Sequence, residues 1–128
     1  MRKGIEFRNA HFPGRSPIDA YGNGGFRFAD MSHRGSLLCL PSGIHGWEAD
    51  SQSELDVALF LRVFEEANDI EVLLVGTGTD IRPIPPVLKM RLRDAQIISD
   101  PMSTGAAVRT YNVMLSESRA VAAALIAV

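Results

Sequence analysis

The run IEVLLVG, residues 70–76, is apolar at nearly every position. A strand with one face in water alternates apolar and polar residues. A near-continuous apolar run instead marks a strand covered on both faces. A chain that carries such a strand must also carry the two layers that cover it. Upstream, SQSELDVALFLRVFEEAN (residues 51–68) reads as a helix, with Leu55, Ala58, Leu59 and Val63 on one face. Val57, Phe60, Leu61 and Phe64 widen that face, and Arg62 and Glu66 pair at i, i+4 on the wet side. Ser51 with Glu54, or Ser53 with Asp56, offers a capping-box start. Downstream, PPVLKMRLRDA reads as a second helix with proline near its first turn. QIISD is a short strand, and PMSTGAAVRTYNVMLSES is a third helix with Ser103 or Thr104 as N-cap. Strands alternating with helices predict a layered α/β domain with some parallel pairing.

The amino-terminal half has a different texture. YGNGGFRF sets a glycine-rich turn before the alternating Phe26, Arg27 and Phe28, the pattern of a half-buried hairpin strand. GSLLCLPSG and GIHGWEAD add short strands, so residues 18–48 read as a β-meander. Residues 1–17 read as an extended arm, in which Arg2, Lys3, Arg8 and Arg15 face a single acid, Glu6. Ile5, Phe7 and Phe12 lie along it without helical period. The last stretch, RAVAAALIAV, has alanine's helix propensity but stands where a closing strand would fit; propensity leaves both open.

With 128 residues, the chain fits one domain, residues 18–128, behind the arm. Such a length buries roughly two-thirds of the unfolded surface without a disulfide or metal staple. The net charge of -2 lacks the basic footprint of a nucleic-acid binder, so no nucleic acid is expected among the partners. The single cysteine, Cys39, fits a reducing compartment. No apolar h-region follows the first basic residues, and no apolar span approaches the roughly 20 residues of a transmembrane helix. The expected location is therefore cytoplasmic, with contact to the inner membrane made through a partner.

Gly76-Thr77-Gly78-Thr79-Asp80-Ile81 begins like a dinucleotide fingerprint but lacks its third glycine. In such a site the loop enters a helix at once, whereas here IRPIPP forces an extended connection. Nor is there a lysine followed by Ser or Thr at P-loop spacing. The loop can still lie at the carboxyl end of a parallel strand, where ligands gather in open α/β sheets. A candidate ligand site then comprises Gly76, Thr77, Gly78, Thr79, Asp80 and Arg82, with the N-terminus of the Thr104 helix offering N–H groups to an anion. Arg109 and Asn112 share the helix face opposite Ala107, Val108, Tyr111, Met114 and Leu115. His11, His33 and His45 stand in separate regions without metal-ligand spacing, and no G-x-S-x-G elbow is present. Cys39, inside LLCLP, reads as a buried small hydrophobe. Paired Glu65 and Glu66 read as solvated charge. No metal, cofactor or catalytic residue is expected.

IEVLLVGTGTDIRPIPP followed by STGAAVRTYNVMLSESRAVAAALI resembles a family of small domains of largely unassigned function. Its eukaryotic members include the mitochondrial assembly factor three of respiratory complex I. Gly76, Thr77 and Gly78 match the family's loop, and Thr104, Ala107, Thr110, Tyr111 and Asn112 its helix. Leu115, Ser116, Glu117 and Arg119 match the following turn, and the likeness extends over about residues 18–128. Members often carry a cysteine in this helix; Val108 stands there in this chain. The resemblance implies a single three-layer α/β domain around a mixed β-sheet, with an antiparallel C-terminal strand, and so turns RAVAAALIAV from helix to strand. It also implies a non-enzymatic module that assists assembly or insertion of membrane protein complexes. Arg109, Asn112, Glu117 and Arg119 would shape its partner-binding surface; Glu117 and Arg119 could alternatively tie the turn to the sheet. The competing expectation is a small-molecule or anion-binding protein using the Gly76–Asp80 loop. Exposed strand edges in so small a sheet would also suit a homodimer.

Overall fold

The structure, a computed structural model, describes residues 12–128. Arg2, Lys3, Ile5, Glu6, Phe7, Arg8 and His11 of the expected arm lie outside the described residues. The apolar run that opened the sequence forms β7 (Val72–Gly76), which lies between β8 (Ile98–Met102) and β9 (Val121–Leu125) and runs parallel to both. On its other side β9 pairs antiparallel with β5 (Ser36–Leu40). Beyond β5 come β6 (Gly43–Trp47) and β1 (Phe12–Pro13), both antiparallel additions. The order β1-β6-β5-β9-β7-β8 is one six-stranded mixed sheet. The final strand is thus antiparallel on its β5 side and parallel on its β7 side. A separate three-stranded antiparallel meander is formed by β2 (Ala20–Gly22), β3 (Gly25–Phe28) and β4 (Met31–Arg34). Asn23 and Gly24 make its first turn with φ of 53° and 80°, left-handed values that asparagine and glycine adopt readily.

Alternation along the central strands divides the core in two. Leu38, Leu40, Leu73, Val75, Ala122 and Ala124 face one layer, which holds Phe60, Val63, Leu88 and Leu92. Leu37, Cys39, Leu74, Ala123 and Leu125 face the other, which holds Ala107, Val108 and Tyr111 together with Phe26 and Phe28 of the meander. Helix α2 (Pro86–Asp94) covers the first face and α3 (Thr104–Ser116) the second. The fold is three-layered.

The first expected helix is shorter and more broken than its sequence pattern. A 3-10 turn (Val57–Phe60) leads into α1 (Leu61–Glu65), and a second 3-10 turn covers Ala67–Asp69. Neither expected capping box forms. Ser53 Oγ accepts from Asp50 N at 2.9 Å, and Asp50 Oδ1 accepts from Gln52 N at 2.8 Å, so these side chains stabilise a local turn instead. Asp56 becomes the cap, accepting from Leu59 N at 3.1 Å. The Leu59 carbonyl accepts from Trp47 Nε1 at 2.8 Å, fastening this segment to β6. At the third helix Pro101 and Met102 belong to β8, and Ser103 is the N-cap. Pro101 sits on an edge strand, where a missing N–H breaks no ladder bond.

Candidate functional site

The glycine loop leaves β7 and meets the start of α3, as its sequence position suggests. Its polar groups are turned inward. Thr104 Oγ1 accepts from Gly78 N at 3.0 Å and donates to Ile126 O at 2.7 Å, with no exposed surface. Thr77 Oγ1 donates to Asp80 O at 2.8 Å and accepts from Arg82 N at 2.9 Å. Gly76 allows close approach: a Cβ there would stand 3.0 Å from Thr104 Cα and 3.1 Å from Ala107 Cβ. Gly78, with φ of 109°, takes the turn itself. At the α3 N-terminus, Thr104 N donates to Gly78 O, Ala106 N to Ser103 Oγ and Ala107 N to Ser103 O. Tyr21 of the meander packs over Gly105. Several of the donors that an anion would need are therefore already engaged. Thr79 and Asp80 are exposed at the loop tip. Arg82 reaches away from the loop, where its Nη1 donates to Ser53 O at 3.0 Å.

The other candidate residues lie along the second half of α3 and the turn after it. Arg109 is exposed. Asn112 is held from within: its Oδ1 accepts from Ile18 N at 2.9 Å and its Nδ2 donates to Ile18 O at 2.8 Å, so the amide acts as an added strand partner. Arg119 approaches Glu117 at 3.7 Å, with side chains 47% and 56% exposed, a surface pair of small energetic weight. Arg15, which the sequence places in the arm, arrives here too. Its Nη1 donates to Val121 O at 3.0 Å and lies 3.4 Å from Arg119 O. Arg15, Pro17, Asn112, Leu115, Ser116 and Arg119 line an open cleft of about 700 Å³. Nothing in the sequence marks Arg15 for this place, because its partners are main-chain carbonyls more than a hundred positions away.

Two further clusters resemble chemistry without performing it. Ser42 Oγ lies 3.0 Å from His45 Nε2 and donates to Glu66 Oε2 at 2.6 Å, while Ser42 N donates to Glu66 Oε1 at 2.9 Å. In a nucleophilic triad histidine stands between serine and acid and removes the serine proton. Here that proton is given to the carboxylate directly, and the cluster clamps the β5–β6 turn to the end of α1. Glu66, read as solvated charge, is a clamp residue that sequence spacing could not reveal. Burial raises the Cys39 thiol from 9.0 to about 12, against a smaller lowering by its hydrogen bond with Tyr111. A thiol so held is no nucleophile at neutral pH. Among the described residues no group of three His, Cys, Asp or Glu is placed to hold a metal ion.

The chain is similar along nearly its whole length to proteins found elsewhere. An uncharacterised protein of Rhodobacter capsulatus is 42% identical over 93% of this chain and 90% of its own. The NADH dehydrogenase [ubiquinone] 1 alpha subcomplex assembly factor 3 of Mus musculus is 27% identical over 98% of this chain and 68% of its own. A crystal structure from Bartonella henselae, described as an outer membrane protein, superposes with a TM-score of 0.87 at 58% identity, covering 91% of this chain and 98% of that one. No helix among the described residues is long and apolar enough to cross a membrane. Residues 18–126, from the meander to the end of the closing strand, match one family model, and the chain belongs to that family, the proteins of unknown function DUF498/DUF598.

Proposed function

We propose that this chain is a non-enzymatic interaction module that assists assembly or insertion of membrane protein complexes. One observation carries the reading. Arg109, Asn112, Glu117 and Arg119 follow one another along the second half of α3 and its turn, with Arg15 beside them at an open cleft. Asn112 fixes the segment at Ile18, and the exposed cations Arg109, Arg15 and Arg119 offer contacts to a partner's carboxylates. The likeness to the mammalian assembly factor supports the same reading. The partner is a protein, a subunit of a membrane complex, and the module works from the cytoplasmic side, reaching the inner membrane through that subunit.

Affinity purification of the tagged chain after mild crosslinking, with Arg109→Glu beside the wild type, tests this. Membrane-complex subunits captured by the wild type and lost with the variant are the expected result. Equal capture by both forms would remove Arg109 from the surface, and capture of no membrane-complex subunit by the wild type would overturn the reading.

A further inference from the structure

A second cleft, of about 690 Å³, opens on the opposite layer, between the 3-10 turn before α1 and the start of α2. That volume lies within the range of small-molecule pockets, roughly 300–1,000 Å³. Leu55, Val57, Pro83, Pro85 and Val87 give it apolar walls, and Arg82 lines it as well. Arg82 is held at two points: its backbone N donates to Thr77 Oγ1 at 2.9 Å and its Nη1 to Ser53 O at 3.0 Å. Its other two nitrogens, Nε and Nη2, are shielded from solvent and have no hydrogen-bond partner among the described residues. A buried guanidinium edge left unpaired is costly and calls for a physical explanation. Nε–H and Nη2–H form the side edge of the fork, whose geometry matches the two oxygens of a carboxylate.

The surroundings favour an anion at one end of the cleft only. Helix α2 begins at Pro86 after Pro85, and no side chain caps it. Its positive end therefore lies at the cleft, where Val87 and Leu88 of the first turn form part of the wall. Glu54 and Asp56 line the cleft too, both exposed, and Asp56 is engaged as the cap of the 3-10 turn. Neither acid pairs with Arg82. Their charge opposes a second anionic group on a ligand, while the apolar walls suit a hydrocarbon body.

We infer that this cleft is a binding site for a small monocarboxylic acid with an apolar body, its carboxylate clamped by the Nε/Nη2 edge of Arg82. The inference stands apart from the partner surface on α3.

The test is a titration of the 15N-labelled chain with sodium octanoate below its micelle concentration, beside 1-octanol and octanamide, followed by NMR. Octanoate should give saturable shifts of the Arg82 Nε–H signal and of the Leu55, Val87 and Leu88 amides. Octanol and octanamide should bind more weakly by roughly tenfold or more, and should leave Arg82 Nε–H unmoved. Arg82→Lys, which keeps the charge and removes the fork, should weaken octanoate by a similar factor. Should Arg82→Lys fail to fold, the comparison of the three probes on the wild-type chain decides alone. No saturable octanoate shift, equal affinity for acid and alcohol, or shifts centred away from this cleft would each overturn the inference.

Discussion

Thr104 closes the glycine loop from the helix side, and its hydroxyl is committed twice, to Gly78 N and to Ile126 O. Thr104→Val keeps the shape and removes both bonds, leaving polar backbone groups buried. The expected loss is about 1–3 kcal/mol, read as a lower urea midpoint at unchanged slope. Asp80→Ala is the contrast, because its side chain is exposed and only its carbonyl is used; it should change stability by no more than about 0.5 kcal/mol. Equal effects of the two would refute the account of the loop as an internal clasp. Cys39 makes a separate prediction. The native thiol keeps its proton up to about 12, whereas the unfolded chain's thiol ionises near the ordinary 9.0. Tyr111 is displaced in the same direction, by burial first and then by the charge of Cys39. The unfolded state releases protons first, so this stability is complete below pH 9 and lost as pH rises towards 12. Urea midpoints measured from pH 7 to pH 11 should hold steady and then fall; a flat profile would remove the buried thiol–phenol pair as its source.

At the scale of elements, β9 explains its own composition. Ala122, Ala123 and Ala124 have no exposed surface, with a packed layer on either face. Short side chains let α3 sit close to the sheet, and Gly76 of the neighbouring strand serves the same approach. Gly76→Ala should destabilise the fold by about 1–3 kcal/mol, since the added methyl meets backbone rather than a movable side chain. A variant as stable as the wild type in thermal melts would mean the layers can part without loss. Composition alone left this strand undecided, because helix propensity measures an exposed alanine and not one pinned between layers. The resemblance to the family resolved it. By contrast β7 was legible directly, since burial on both faces writes itself into consecutive residues. Residues 51–68 were misread in the other direction: their apolar density was visible, but the competition of Asp50 and Ser53 for the backbone was not. The candidate site was half legible. Gly76, Thr77 and Thr104 were picked out as a group, yet whether their hydrogen bonds face outward or inward depends on Met102, Gly78 and Ile126, which only the fold brings near.

For the whole molecule, the decisive fact is that the strand latest in sequence lies inside the sheet. Strand β9 joins two halves of unlike construction: the antiparallel β1-β6-β5 block and the parallel β7-β8 pair. Within the six-stranded sheet, neither half pairs with the other except through β9. Its residues also contribute to both core clusters, Ala122, Ala124 and Ile126 to one and Val121, Ala123 and Leu125 to the other. Main-chain bonds tie its end to the loop as well, with Ile126 N donating to Gly76 O at 2.9 Å and Ala127 N to Ser36 Oγ at 2.9 Å. Removing residues 121–128 would expose the paired edges of β5 and β7 and open both core layers at once. The loss far exceeds the roughly 5–15 kcal/mol that holds a domain of this size together. The shortened chain should show no cooperative unfolding transition and should bind a dye that reports exposed apolar surface. Adding residues 121–128 back as a separate peptide should restore part of the cooperative transition, because the gap left in the sheet has hydrogen-bonding partners on both sides. A shortened chain that still melts cooperatively would show that one half is stable alone, and that β9 adds to the fold without organising it.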